Sequence, residues 1–187
     1  MTCKALRSCG GFSHIQETDM PSPFDGKTIA ILVGSGFEEK PFVALQRALT
    51  AAGAKVKVIS RDTGLTNGWA DGAWGLSYPV DGHISETLAV DYDALVVPDG
   101  KRHVEILLNE AHAKRITSAF VREHVPSLFI GSGMGLAQEC GLSLSEIPEE
   151  ITTMDAFVLA PAGGDTEEIM VAFNAVIMNA SAEEAAA

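Results

Sequence analysis

The stretch Phe129-Ile130-Gly131-Ser132-Gly133-Met134-Gly135 has the layout of an active-site elbow, in which a strand turns sharply into a helix. Ser127-Leu128-Phe129-Ile130 is an apolar run of strand length, and a helix-compatible segment follows from Met134 to Cys140. Such a turn exposes one side chain and aims backbone N–H groups, here those of Ser132 and Gly133, at the space above it. In many α/β enzymes the exposed side chain is a Cys or Ser nucleophile. In this chain the first residue after the strand is Gly131, which has no side chain to react. Ser132 comes one residue late for the role, because the G-x-S-x-G template requires a glycine where Ile130 stands. Gly131 and Gly133 equally satisfy the backbone demand of a tight turn. The spacing describes an elbow without its nucleophile.

Other groups of the right chemistry are few. Glu38 and Glu39 follow the first strand, either as a charged helix start or as a proton-transfer pair. A Glu38 facing the space above Gly131 would complete a pocket for a hydrogen-bonding small molecule. Lys101, Arg102 and His103 follow Pro98-Asp99-Gly100 at the carboxyl edge of the sheet, where α/β folds bind ligands. They read as an anion attractor or as a solvated basic loop. Cys140, on the helix after the elbow, has no adjacent cation to lower its pKa and reads as a small buried hydrophobe. Three cysteines and five histidines show neither a disulfide framework nor metal-ligand spacing. No metal and no cofactor are expected.

The elements that must position these residues follow from periodicity. Thr28 to Val33 is a near-continuous apolar, β-branched run, the mark of a strand buried on both faces. Gly34-Ser35-Gly36 breaks it, and Phe42, Leu45, Leu49 and Ala52 give the next segment one apolar helical face that ends at Gly53. Lys55 to Ser60 is a second strand, so the segment is a right-handed βαβ unit with parallel strands. Trp69 to Val80, with both tryptophans and Tyr78, suggests a hairpin or lid packed on the sheet edge. Strands at Asp93 to Pro98 and Ser127 to Ile130 follow, with helices from Val104 to Leu108 and Glu110 to His124 between them. Short strands at Ile151 to Met154 and Ala156 to Leu159 precede a helix from Thr166 to Met178. The fold class is α/β, a flavodoxin-like three-layer αβα sandwich with a mostly parallel sheet. Residues 1–25 read as an N-terminal arm or linker, 26–180 as the domain, and 181–187 as a flexible tail.

Composition restricts the partners. A net charge of −12 opposes nucleic acid and anionic membranes, since the field repels over most of the surface. No segment approaches the ~18 consecutive apolar residues a membrane span requires. The start Met1-Thr2-Cys3-Lys4-Ala5-Leu6-Arg7 is not followed by the apolar core of a secretory signal, so a cytoplasmic setting is expected.

Three motifs carry a resemblance to a known family. Gly36-Phe37-Glu38-Glu39, the run Asp91 to Gly100 and Ile130-Gly131-Ser132-Gly133 resemble the ThiJ/PfpI family of the class I glutamine amidotransferase-like superfamily. The likeness covers about residues 26 to 180. Members usually carry a Pro-Gly-Gly turn and an Ile-Cys-His-Gly or Ile-Cys-Ala-Gly elbow. This chain has Asp99 in the first of those glycine positions, Gly131 in the cysteine position and Ser132 where His or Ala would be. Glu38 or Glu39 matches the family's catalytic glutamate, while a later acidic position is Pro41 here. Asp25 to Val33, Asp71-Gly72 and Gly164 to Glu168 further resemble the C-terminal domain of large-subunit catalases, which also lacks the nucleophile. The haem-binding catalase core is not expected within these 187 residues.

The resemblance implies a non-catalytic, homodimeric or larger homo-oligomeric domain for stress protection, assembly or small-ligand sensing. Its ligand pocket would comprise Gly36, Glu38, Asp99, Gly100, Gly131, Ser132 and Gly133. The other class is a ThiJ/PfpI-type enzyme (glyoxalase, deglycase, amidase or peptidase), which would need a reactive group from elsewhere, such as Cys140 or a partner chain, entering the pocket.

Overall fold

The computed structural model describes residue 22 and residues 24–144 and 146–186. Cys3, Cys9 and most of the expected N-terminal arm lie outside the described residues. The described end of that arm is not peripheral, since Phe24 is buried against Phe173 of the last helix.

The strands are β1 (Thr28–Val33), β2 (Phe37–Glu38), β3 (Lys55–Ser60), β4 (Leu65–Ala70), β5 (Ala73–Pro79), β6 (Gly82–His83), β7 (Ala94–Val97), β8 (Ser127–Ile130), β9 (Thr152–Met154) and β10 (Phe157–Ala160). The helices are α1 (Glu39–Ala51), α2 (Lys101–Leu108), α3 (Ala111–Arg122), α4 (Gly133–Glu139) and α5 (Thr166–Ala186). Seven strands form the main sheet in the order β6-β3-β1-β7-β8-β10-β9. Every pairing in it is parallel except that of β9 with β10. The α/β, flavodoxin-like sandwich read from periodicity is the fold observed.

Alternation along each strand divides the core. Ile29, Ile31 and Val33 face α1 and α5, where they meet Phe42, Leu45, Leu49, Ile169 and Phe173. Ala30 and Leu32 face the other side, where Leu107, Ile116, Phe120 and Leu136 come from α2, α3 and α4. Burying side chains of this size contributes about 1.5–3 kcal/mol each. That burial fixes strand register, because a one-residue slip would turn every core residue to the wrong layer.

Three elements depart from expectation. The hairpin β4–β5 turns at Asp71-Gly72, both at positive φ, but it does not lie on the edge of the main sheet. It pairs with β2 in a separate three-stranded sheet, in the order β2-β4-β5. Second, the three cations at 101–103 are not a loop, since they open α2. Third, the last helix does not stop near Met178 but continues through most of the expected tail to Ala186. The Ala- and Glu-rich end is a sequence of strong helix formers, which explains the extension.

Candidate functional site

β7 and β8 are parallel neighbours with Val97 opposite Phe129. Counting two residues onward on each strand sets Asp99 beside Gly131. Both strands end there, so the two turns meet at the carboxyl edge of the sheet, the position at which open α/β sheets bind ligands. Gly131 has φ +52 and follows β8 directly, as an elbow residue should.

The space above Gly131 is filled. A Cβ at this position would lie 2.5 Å from both Cγ and Oδ1 of Asp99 and 2.8 Å from Oδ2. Asp99 therefore occupies the volume that a side chain at the elbow would need. Its Oδ1 accepts three hydrogen bonds: from the Gly100 N–H at 2.8 Å, the Ser132 N–H at 2.9 Å and the Ser132 hydroxyl at 2.7 Å. The Gly100 N–H is shared with Ser132 Oγ at 3.0 Å. Hydrogen bonds to a charged acceptor contribute about 1.5–3 kcal/mol each, so the arrangement is held firmly. The N–H groups expected to face the pocket were those of Ser132 and Gly133. The converging pair is instead Ser132 and Gly100, and both donors are taken by the chain's own carboxylate.

Glu38 sits at the end of β2, and its N–H donates to the Asp99 carbonyl at 2.9 Å. Glu38 and Asp99 share a cavity of about 260 Å³ with Lys40, Pro41, Trp69, Ala70, Asp71 and Gly163. Lys40 pairs with Asp71 at 3.0 Å across its mouth. The Arg102 guanidinium lies 4.0 Å over the Trp69 ring, a cation–π contact that stiffens the wall.

The other residues singled out in the sequence lie elsewhere. Glu39 turns away from the cavity: its Oε2 accepts the Leu76 N–H at 2.8 Å and presses against Gly75, clamping the hairpin. Burial pushes the nearby Tyr78 phenol above its ordinary pKa, and Glu39 adds to the shift. Gly36 gives its N–H to the Asn67 carbonyl at 2.7 Å, which ties the turn after β1 to β4. Gly133 is buried in the first turn of α4, where a Cβ would come within 2.8 Å of the Val97 carbonyl oxygen. Close packing, not ligand contact, is what requires glycine there.

His103 is fully buried rather than available to an anion. Its Nε2–H donates to the Pro98 carbonyl at 2.7 Å, which fixes the tautomer and supports the turn carrying Asp99. Desolvation holds its pKa down to about 4, against the opposing pull of that carbonyl. Cys140 is half-buried, and its thiol donates to the Lys114 carbonyl at 3.6 Å. Burial pushes the thiol pKa up, the opposite of what a nucleophile needs. It lines a larger cavity of about 580 Å³ near Phe157, at the amino ends of β8 and β10, away from the elbow. Among the described residues no group of His, Cys, Asp and Glu could hold a metal ion, and no helix is long and apolar enough to cross a membrane.

A parallel α/β sheet with a strand-to-helix elbow at its carboxyl edge is the frame of the DJ-1/PfpI family, and this chain belongs to that family, whose sequence model matches residues 27–145. Its relatives are diverse. It is 27% identical over 154 residues to Catalase HPII of Pseudomonas putida, an alignment that covers 81% of this chain and 21% of the catalase. The chain thus spans about a fifth of that relative's length. Among solved structures it is similar to oxidized Toxoplasma gondii DJ-1, with a TM-score of 0.66, 18% identity and coverage of 84% of this chain and 97% of that one. A ThiJ/PfpI domain protein from Brachyspira murdochii matches with a TM-score of 0.62 and 19% identity, covering 83% and 96% of the two chains. At these identities the solved structures show the shared fold alone.

Proposed function

We propose that the protein is a non-catalytic, homo-oligomeric DJ-1/PfpI domain that serves in assembly, in the manner of an accessory domain related to the catalase it resembles. The observation that carries this reading is the Asp99 carboxylate seated over Gly131. The elbow offers no thiol, and the donors that would stabilise an oxyanion are already bonded to the Asp99 side chain. An oxyanion site works when its donors are free to meet charge as it develops. Donors saturated in the resting state supply none of that stabilisation.

Assembly is supported by a different region. The outer edge of β5 pairs with no other strand among the described residues, and Leu65, Trp74 and Leu76 of the hairpin are 57%, 58% and 66% exposed. Large apolar side chains on an open strand edge are features of a surface used for association. Stress protection and small-ligand sensing through the Glu38–Trp69 cavity belong to the same reading, as does a cytoplasmic setting. The test pairs two measurements on the purified protein. Methylglyoxal consumption and peptide cleavage are expected at background, and light scattering at micromolar concentration is expected to give a multiple of 19.7 kDa. Turnover that survives Ser132→Ala and thiol blocking would overturn the non-catalytic part, and a monomer mass would overturn the assembly part.

A further inference from the structure

The geometry points to the elbow as a binding site for a small carboxylate, of which Asp99 is the built-in occupant. This deepens the non-catalytic reading and rests on it. Three donors from two separate turns converge on one oxygen: Gly100 N–H, Ser132 N–H and Ser132 Oγ–H. Gly131 contributes the missing volume, since any side chain there would strike the carboxyl group. The acceptor and the void fit together as a ligand fits a pocket, although the ligand is covalently part of the chain.

Two consequences follow from the chemistry of an aspartate side chain. An occupant tethered to the backbone through a single methylene has a very high effective concentration, so free anions do not compete for the wild-type site. The net charge of −12 works in the same direction by disfavouring anion approach. When the tether is cut, the site must become available to a free acid of the same shape. Asp99 is half-buried on the wall of the 260 Å³ cavity, so a small ion reaches the vacated space from solvent. The Asp side chain is a methylene bearing a carboxylate. Asp99→Ala keeps the Cβ and removes a group the size of formate. Asp99→Gly removes the Cβ as well and leaves a space the size of acetate.

The ligand preference should therefore cross over between two variants. For D99A, thermal melts in sodium formate and sodium acetate, against sodium chloride at equal ionic strength, should show saturable stabilisation by formate and less by acetate. For D99G, acetate should match or exceed formate. A ligand of so few atoms sets a dissociation constant on the order of 1–100 mM. Wild type should show no stabilisation beyond chloride. Adding Ser132→Ala to D99A should weaken formate binding roughly tenfold, through the lost hydroxyl donor.

If D99A does not stay folded in chloride, its folded yield on refolding from urea in formate is the readout. A gain over chloride supports the proposal, and no gain contradicts it. Asp99→Asn is the control: its amide oxygen still accepts from the three donors, so it should fold and ignore formate. Equal formate and chloride responses in folded D99A, or a formate response in D99N as large as in D99A, would overturn the proposal. Either failure leaves the non-catalytic reading standing, because in the wild type Asp99 still fills the elbow and Gly131 still offers no thiol. Turnover by the wild type would sink the non-catalytic reading without altering what D99A binds.

Discussion

The elbow and the β4–β5 hairpin, whose Trp69 lines the cavity beside Glu38 and Asp99, treat their polar groups in opposite ways. At the elbow every converging donor has an internal acceptor, and the volume for a nucleophile is filled by Asp99. At the hairpin the outer edge of β5 is unpaired among the described residues, and Trp74 and Leu76 stand in solvent. A satisfied site has little to gain from a ligand, whereas an open apolar edge gains by being covered. The proposed assembly surface is therefore the hairpin, where apolar side chains are exposed, and not the elbow, where the donors are already bonded.

The largest expected effect comes from trying to reopen the elbow one residue at a time. Gly131→Cys puts a Cβ into the Asp99 carboxyl and a non-glycine residue at positive φ. Left-handed backbone costs about 1–2 kcal/mol, and displacing Asp99 forfeits hydrogen bonds contributing about 1.5–3 kcal/mol each. Urea denaturation should show a loss of roughly 3–5 kcal/mol for the single variant. The paired exchange of Asp99→Gly with Gly131→Cys should recover more than about 1 kcal/mol of that sum, as coupled neighbours do. Additive losses would mean that the two positions do not share a volume.

His103 sharpens the same side of the comparison through pH. Its folded pKa is held to about 4, below the roughly 6.5 of an unfolded histidine. The unfolded chain therefore binds the extra proton between those values. The stability is complete above pH 6.5 and falls as pH drops towards 4, by roughly 3 kcal/mol in total. Denaturation midpoints at several pH values should show this loss, and His103→Gln should flatten the His-dependent part of the slope.

On the hairpin side, Glu39→Ala should remove the clamp on the Leu76 N–H and cost about 1–2 kcal/mol. Glu38→Ala should be nearly neutral for stability, since among the described residues no side-chain hydrogen bond of Glu38 caps α1 or holds the fold. The smallest effect on stability, within about 0.5 kcal/mol, is expected for Trp74→Glu with Leu76→Glu. Light scattering should nevertheless show those two exposed changes breaking the assembly. Unchanged mass would show that the interface lies elsewhere.

Much of this contrast was legible in the sequence. The β1–α1–β3 unit follows from a strand run, a 3.6-residue stripe and Gly53, all local signals. Gly131 as an elbow without a nucleophile was equally readable, because strand, glycine and helix are contiguous. What closes the elbow was not. Asp99 lies 32 positions earlier in the sequence and meets Gly131 only because β7 and β8 are neighbours in register. A strand run does not reveal which strand it will pair with. The roles of Glu38 and Glu39 were likewise undecided, since adjacent residues at a strand–helix junction point in different directions and only the folded chain shows which faces the cavity. Lys101, Arg102 and His103 read as an anion attractor or a solvated loop because three consecutive basic residues are usually exposed, yet α2 turns the third one inward. The separate β2-β4-β5 sheet escaped notice because β2 has only two residues, too short for any period to show.

The central claim is that the elbow is closed by the chain's own carboxylate. Unbiased electron density above Gly131, from crystals grown near pH 7 without added ligand, tests it most directly. The account predicts one continuous side chain from position 99 with Oδ1 between 2.7 and 2.9 Å from the Gly100 and Ser132 donors, and nothing else in that space. Density showing Asp99 turned away, with a water or an unidentified molecule bonded to the Gly100 and Ser132 N–H groups, would contradict it.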